Sequence, residues 1–135
     1  MPSSFKISVV LPVSQKELYT AWLDNKAHSA FTGSPAKIDP RVGGKFSAWD
    51  GYISGKTLEL NPFRRILQSW RTTEFSKNTP DSTLEVLITK SGRGSKLTLV
   101  HKNLPQGSSA EYKTGWNDFY FTPMKEYFRG KGITK

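Results

Sequence analysis

Two histidines and a group of aromatic side chains carry most of the chemical potential of this sequence. His101 ends the run "KLTLVHK", in which Leu97, Leu99 and His101 share one face of an extended chain and Thr98 the other. A histidine on an apolar face has two roles open to it: polar anchor for a ligand held beside it, or a histidine satisfied within the core. His28 lies on a helical segment near Asp24. Two histidines outside any ligand-spacing motif do not make a metal centre, so no metal is expected.

The carboxylates give no stronger signal. Asp50 and Asp118 have the right type for acid–base work, but nothing in the sequence brings them together. Asp50 precedes Gly51, which a turn already explains. No nucleophile elbow, phosphate loop or dinucleotide glycine pattern occurs. "SGRGS" is glycine-rich, but it joins two strand-like runs and reads as a hairpin turn. The expectation is a non-enzymatic binding module without a cofactor.

The aromatic residues point to binding. The chain has four Trp, five Tyr and eight Phe among 135 residues. Trp116 and Tyr120 sit one helical turn apart. With Trp70, Phe46 and Trp49 they can line a pocket or fill a core. Each Trp and Tyr brings ring surface and one polar handle, which suits an amphipathic ligand.

Charge and composition narrow the partners. The net charge is +9, so nucleic acid or an acidic protein has to be considered. The 20 Lys and Arg are scattered, and Arg64-Arg65 is the one adjacent basic pair within the chain's body. A solvated basic surface explains them better than a nucleic-acid groove, although Arg65 and Arg71 share strand parity. The absence of cysteine excludes disulfides and thiolate metal sites. The start, "MPSSFKISVVLP", has too short an apolar run for a signal peptide, and no stretch reaches the roughly 18 apolar residues of a membrane span. A cytoplasmic location is expected.

The elements that must hold these residues follow from periodicity. "FKISVVLPV" reads as a strand. Ser14 and Glu17 form a capping box before a helix carrying Leu18, Ala21 and Trp22, and a second short helix ends at Gly33. "AKID" is a short strand and "PRVGG" a turn. "KFSAWDGYISGKTLELNP" gives two strands joined near Asp50-Gly51, with Leu58 and Leu60 inward and Thr57 and Glu59 outward. Phe46 and Trp49 differ by three, so strand parity puts them on opposite faces, and Phe46 is taken as the inward one. "RRILQSWRTTEF", "TLEVLITK" and "KLTLVHKNL" form an antiparallel meander, in which Ile66, Gln68 and Trp70 share a face of the first strand and Leu84, Val86 and Ile88 share a face of the second, opposite Glu85. The last segment, "SSAEYKTGWNDFYFTPMKEYF", is an aromatic amphipathic helix with a kink expected at Pro123. This is an α+β layout in one domain over residues 1–135.

Four stretches in this order, "PRVGGKFSAWDGYISGKTLEL", "NPFRRILQSWR", "LTLVHKNLP" and "GWNDFYFTPMKEYF", resemble successive signatures of one family. It is the domain type of the activators of the heat-shock-protein-90 ATPase, within the START-like or SRPBCC superfamily that includes the birch-pollen-allergen proteins. The resemblance implies a helix-grip fold: a curved antiparallel sheet wrapped around a long carboxy-terminal helix, with two short helices closing one end. It also implies either a small hydrophobic or amphipathic ligand held between sheet and helix, or a chaperone protein as partner. The candidate lining residues are Phe31, Phe46, Leu58, Trp70, Val86, Leu99, His101, Trp116 and Tyr120.

Overall fold

The computed structural model describes residues 3–131, with side-chain burial given for residues 4–129. The chain runs β1 (Ser3–Leu11), α1 (Gln15–Leu23), α2 (Asn25–Thr32), β2 (Lys37–Ile38), β3 (Lys45–Ala48), β4 (Ile53–Asn61), β5 (Arg65–Thr72), β6 (Ser82–Ser91) and β7 (Gly94–Leu104). It ends in α3 (Ser109–Trp116), a π-helical turn (Asn117–Phe121) and α4 (Thr122–Lys131). The strands form one antiparallel sheet in the order β1-β7-β6-β5-β4-β3-β2. Its curved face grips the carboxy-terminal helix, which is the helix-grip arrangement expected.

Local chemistry sets the boundaries. Ser14 caps α1, its Oγ accepting the Glu17 N–H at 3.1 Å. Asp24 caps α2 in the same way, accepting the Ala27 N–H at 2.8 Å. Gly33 ends α2 with φ of 76°, a left-handed residue that glycine adopts without strain. In "PRVGG", a Cβ on Gly44 would lie 2.5 Å from the Asp39 carbonyl oxygen, so only glycine fits that bend.

The meander β5–β6–β7 has the expected parity. Ile66, Gln68 and Trp70 are buried on β5, Leu84, Val86 and Ile88 on β6, and Leu97, Leu99 and His101 on β7. Cross-strand pairs such as Val86 with Leu99 set the register. Helix residues Trp116, Tyr120, Phe121, Met124 and Phe128 close over this face.

Two expectations from strand parity fail for identifiable reasons. Leu58 is 41% exposed and does not face the interior, whereas Thr57 is fully buried. The register with β5 slips between Thr57 and Glu59, so Leu58 is the extra residue of a β-bulge and the alternation inverts there. Trp49 does not belong to a strand at all. β3 stops at Ala48, and Trp49, Asp50 and Gly51 follow with φ of 53°, 55° and 89°. Three successive left-handed residues turn the Trp49 ring back toward the helix, although Phe46 is buried two positions before the end of the strand. A bulky residue at positive φ carries backbone strain.

Where a kink is expected at Pro123, the structure has a π-turn directly before it. Proline lacks an N–H and its ring crowds the carbonyl four residues back. The helix widens just before it, and the Thr122 N–H reaches the Asn117 carbonyl five residues back. Phe119 on this turn is 57% exposed while its neighbour Tyr120 is buried.

Candidate functional site

Two buried histidines tie the carboxy-terminal helix to the rest of the fold. The Trp116 indole N–H donates to His101 Nδ1 at 3.0 Å. An indole nitrogen only donates, so Nδ1 carries no proton and Nε2 does. Nε2 then donates to Ser82 Oγ at 2.8 Å, and Ser82 donates onward to the Trp70 carbonyl at 2.8 Å. His28 is the mirror case. Its Nδ1 faces the Trp22 carbonyl at 2.9 Å and must donate, so Nε2 accepts from the Tyr120 hydroxyl at 2.8 Å. Both imidazoles are neutral. Burial lowers the His101 pKa to about 3 and that of His28 to about 4, the latter against a raising effect of the Trp22 backbone hydrogen bond. Tyr120 is pushed up by burial. Trp22 donates to Gln68 Oε1 at 3.4 Å and Gln68 to Thr57 Oγ1 at 3.2 Å, which explains why Thr57 points inward.

These bonds leave neither ring nitrogen of His101 free to hold a ligand. The ring positions Trp116 and stands 4.5 Å from Trp70 in an edge contact. Phe31, Val86 and Leu99 lie in the packed interior, where Phe31 touches Trp22, Tyr120 and Phe128. Phe46 borders a remnant of about 10 Å³ beside Trp22, His28 and Gln68. The centre of the sheet–helix interface is therefore filled.

Open space lies at one end, where the β3–β4 turn meets α3. A cavity of about 390 Å³ is lined by Trp70, Trp116 and Tyr120 from the candidate set, and by Trp49, Tyr52, Ile53, Glu111, Tyr112, Gly115 and Phe119, which the candidate set omits. Its volume is that of a small-molecule site. The helical contribution has a readable spacing: Tyr112, Gly115, Trp116 and Phe119 follow i, i+3, i+4, i+7 and share one helix face. The contribution of Trp49 and Tyr52 depends on the left-handed turn, which no periodicity announces.

Gly115 is informative. Glycine within a helix costs about 1 kcal/mol against alanine. A Cβ there would meet nothing within 4 Å, so no close packing requires the glycine. Its bare backbone enlarges the cavity. Trp49 and Phe119 face each other edge to face at 5.6 Å, joining turn to helix. Among the described residues, Trp49 Nε1 is the one buried side-chain nitrogen or oxygen without a hydrogen-bond partner. The polar margin is acidic: the Tyr52 hydroxyl donates to Glu74 Oε1 at 2.7 Å, and the Tyr112 hydroxyl meets Thr72 Oγ1 at 3.2 Å. Burial, then the Glu74 hydrogen bond, pushes the Tyr52 pKa up to about 12.

The basic residues singled out by parity are occupied. Arg65 bridges Glu59 at 2.7 Å and Glu85 at 2.5 Å. Arg71 bonds Asp81 at 2.7 Å and the carbonyls of Ser76 and Thr79. They do not form an open cationic patch. No group of three or more His, Cys, Asp or Glu able to hold a metal occurs among the described residues. No helix among them is long and apolar enough to cross a membrane.

Comparison with known proteins follows the same lines. The human "Activator of 90 kDa heat shock protein ATPase homolog 1" is 29% identical over 115 residues, covering 85% of this chain and 34% of that protein. The chain thus spans about a third of the length of the curated relatives it matches. A crystal structure of an HSP90 activator from Plasmodium falciparum superposes with a TM-score of 0.83 at 28% identity, covering 92% of this chain and 94% of that one. CalU16 from Micromonospora echinospora superposes with a TM-score of 0.73 at 28% identity, covering 93% and 79% of the two chains. The family model described as "Activator of Hsp90 ATPase homolog 1-like protein" matches residues 12–129, from the end of β1 to α4. Sheet, gripped helix and sequence agree, and the chain belongs to the family of Activator of Hsp90 ATPase homolog 1-like proteins.

Proposed function

We infer that this chain acts on an Hsp90-type chaperone as a partner that raises its ATPase rate. The observation that carries this reading is the near-complete mutual coverage with the Plasmodium HSP90 activator, since the likeness extends over almost all of both chains. The net charge of +9 fits a partner with an acidic face, whose attraction speeds encounter and weakens with salt. The test is binding to a purified Hsp90 by surface plasmon resonance at low and high salt. Saturable binding that weakens about tenfold or more between 50 and 500 mM salt supports the reading. Absence of binding at low salt overturns it.

A second reading rests on the cavity. The aromatic space of about 390 Å³ beside the β3–β4 turn supports binding of a small hydrophobic or amphipathic molecule. Apolar burial would supply affinity, with Trp116 and Tyr120 held in place by His101 and His28. Ligand-induced rises in melting temperature across a panel of such compounds test it. A panel that moves neither melting temperature nor Trp fluorescence removes this second reading and leaves the first untouched.

A further inference from the structure

The lining of this cavity specifies more than apolarity. Seven of its ten residues are aromatic, and the one ionisable group of full charge among them is the carboxylate of Glu111. Among the described residues no Lys or Arg lines it, in a chain with 20 of them. Glu111 is exposed at the margin and has no ion-pair partner among the described residues. A second carboxylate, Glu74, stands one hydrogen bond behind the Tyr52 ring.

Nearby cations do not cancel this field. Arg71, on β5 beside Trp70, is taken by Asp81 and two carbonyls, and it lies over the Phe75 ring at 5.4 Å. Lys113 is two positions from Glu111 on the same helix, so it projects from a different side. Aromatic faces present negative charge and attract a cation placed against them, most strongly for Trp. Quaternary and methylated ammonium groups suit such sites, because their diffuse charge is weakly hydrated.

The geometry points to a ligand that carries a methylated or quaternary ammonium on an apolar body, seated among Trp49, Tyr52, Tyr112, Trp116 and Phe119 with Glu111 at the mouth. This assignment rests on the reading of the cavity as a ligand site and is independent of any chaperone partner. It also explains why the mouth is acidic in a strongly basic protein.

Benzyltrimethylammonium and neopentylbenzene provide the test. They share one shape and differ by a quaternary nitrogen in place of a carbon. Each is titrated into the 15N-labelled 135-residue chain, and the indole N–H signals of the four Trp are followed. The cation is expected to bind about tenfold more tightly than its neutral isostere. Glu111→Gln is expected to weaken the cation about threefold and leave neopentylbenzene unchanged. Because Glu111 is exposed, the variant's unfolding midpoint serves as a check that the fold is intact. Equal or tighter binding of neopentylbenzene overturns the cationic assignment while the ligand site stands. If neither compound shifts an indole signal, the cationic assignment falls, and the compound panel decides the ligand-site reading separately.

Discussion

The Trp116 indole N–H donates to His101 Nδ1 across 3.0 Å and so pins the gripped helix to strand β7. One turn later on the same helix, Tyr120 donates to His28 Nε2 of α2 at 2.8 Å. Each histidine uses its unprotonated nitrogen to receive a helix aromatic and its protonated one to reach the scaffold. The two tautomers are opposite, and each is fixed by a partner that can only donate or only accept. The cavity inherits one rigid wall from this arrangement, since Trp116 and Tyr120 line it.

Trp116→Phe removes the donor and leaves a buried imidazole nitrogen unpaired. A loss of about 1–3 kcal/mol is expected from the unmet acceptor, with further loss from the smaller ring. Trp49→Phe removes an indole N–H that has no partner, so it forfeits no hydrogen bond. Urea unfolding should place the Trp49 variant close to the parent and the Trp116 variant well below it. Equal midpoints for the two would contradict the assigned bond.

Stability should fall in mild acid. An unfolded histidine titrates near pH 6.5. In the folded chain the values are about 4 for His28 and about 3 for His101. Above pH 6.5 neither state binds the proton and stability is full. Below it the unfolded chain takes up protons that the folded chain refuses, so stability drops until pH falls through the folded values. The slope is up to about 1.4 kcal/mol per pH unit for each histidine. Unfolding midpoints at pH 7, 6 and 5 measure it. His101→Asn keeps an acceptor for Trp116 and removes one titration, so its profile should be flatter.

Gly115 separates stability from binding. Gly115→Ala should stabilise the helix by about 1 kcal/mol, because its Cβ enters open space. Gly115→Leu should also fold, but its side chain occupies the cavity. Ligand-induced melting shifts should shrink with alanine and vanish with leucine. Retained shifts in the leucine variant would place the ligand elsewhere.

The bulge in β4 makes a contrast between two leucines. Leu58→Ala should change stability by no more than about 0.5 kcal/mol, as surface substitutions do. Leu99→Ala, at a fully buried site on β7, should cost about 2–5 kcal/mol. Comparable losses at both positions would put Leu58 in the core after all.

The contrast also marks where sequence patterns carry and where they stop. The meander and its inward set, from Ile66 to His101, follow period two because β5, β6 and β7 pair without interruption. Parity breaks at Thr57 because Gln68 supplies the hydrogen-bond partner that draws it inward, and this partner is a long-range fact. The cavity is harder still. Tyr112, Trp116 and Phe119 fall on one helix stripe in the sequence, yet their value depends on the opposing turn, and Gly115 gains its meaning only from the cavity. Trp49 reaches the helix only through three left-handed residues, two of them non-glycine. Strand parity points His101 inward, where the structure buries it, but residue type alone does not give its role. Only its two partners show that it braces Trp116.

The steady-state ATP hydrolysis rate of a purified Hsp90-type chaperone, titrated with this protein, addresses the chaperone reading most directly. A saturable rise in rate that weakens as salt is raised is the expected result. An unchanged rate at saturating, folded protein would contradict it.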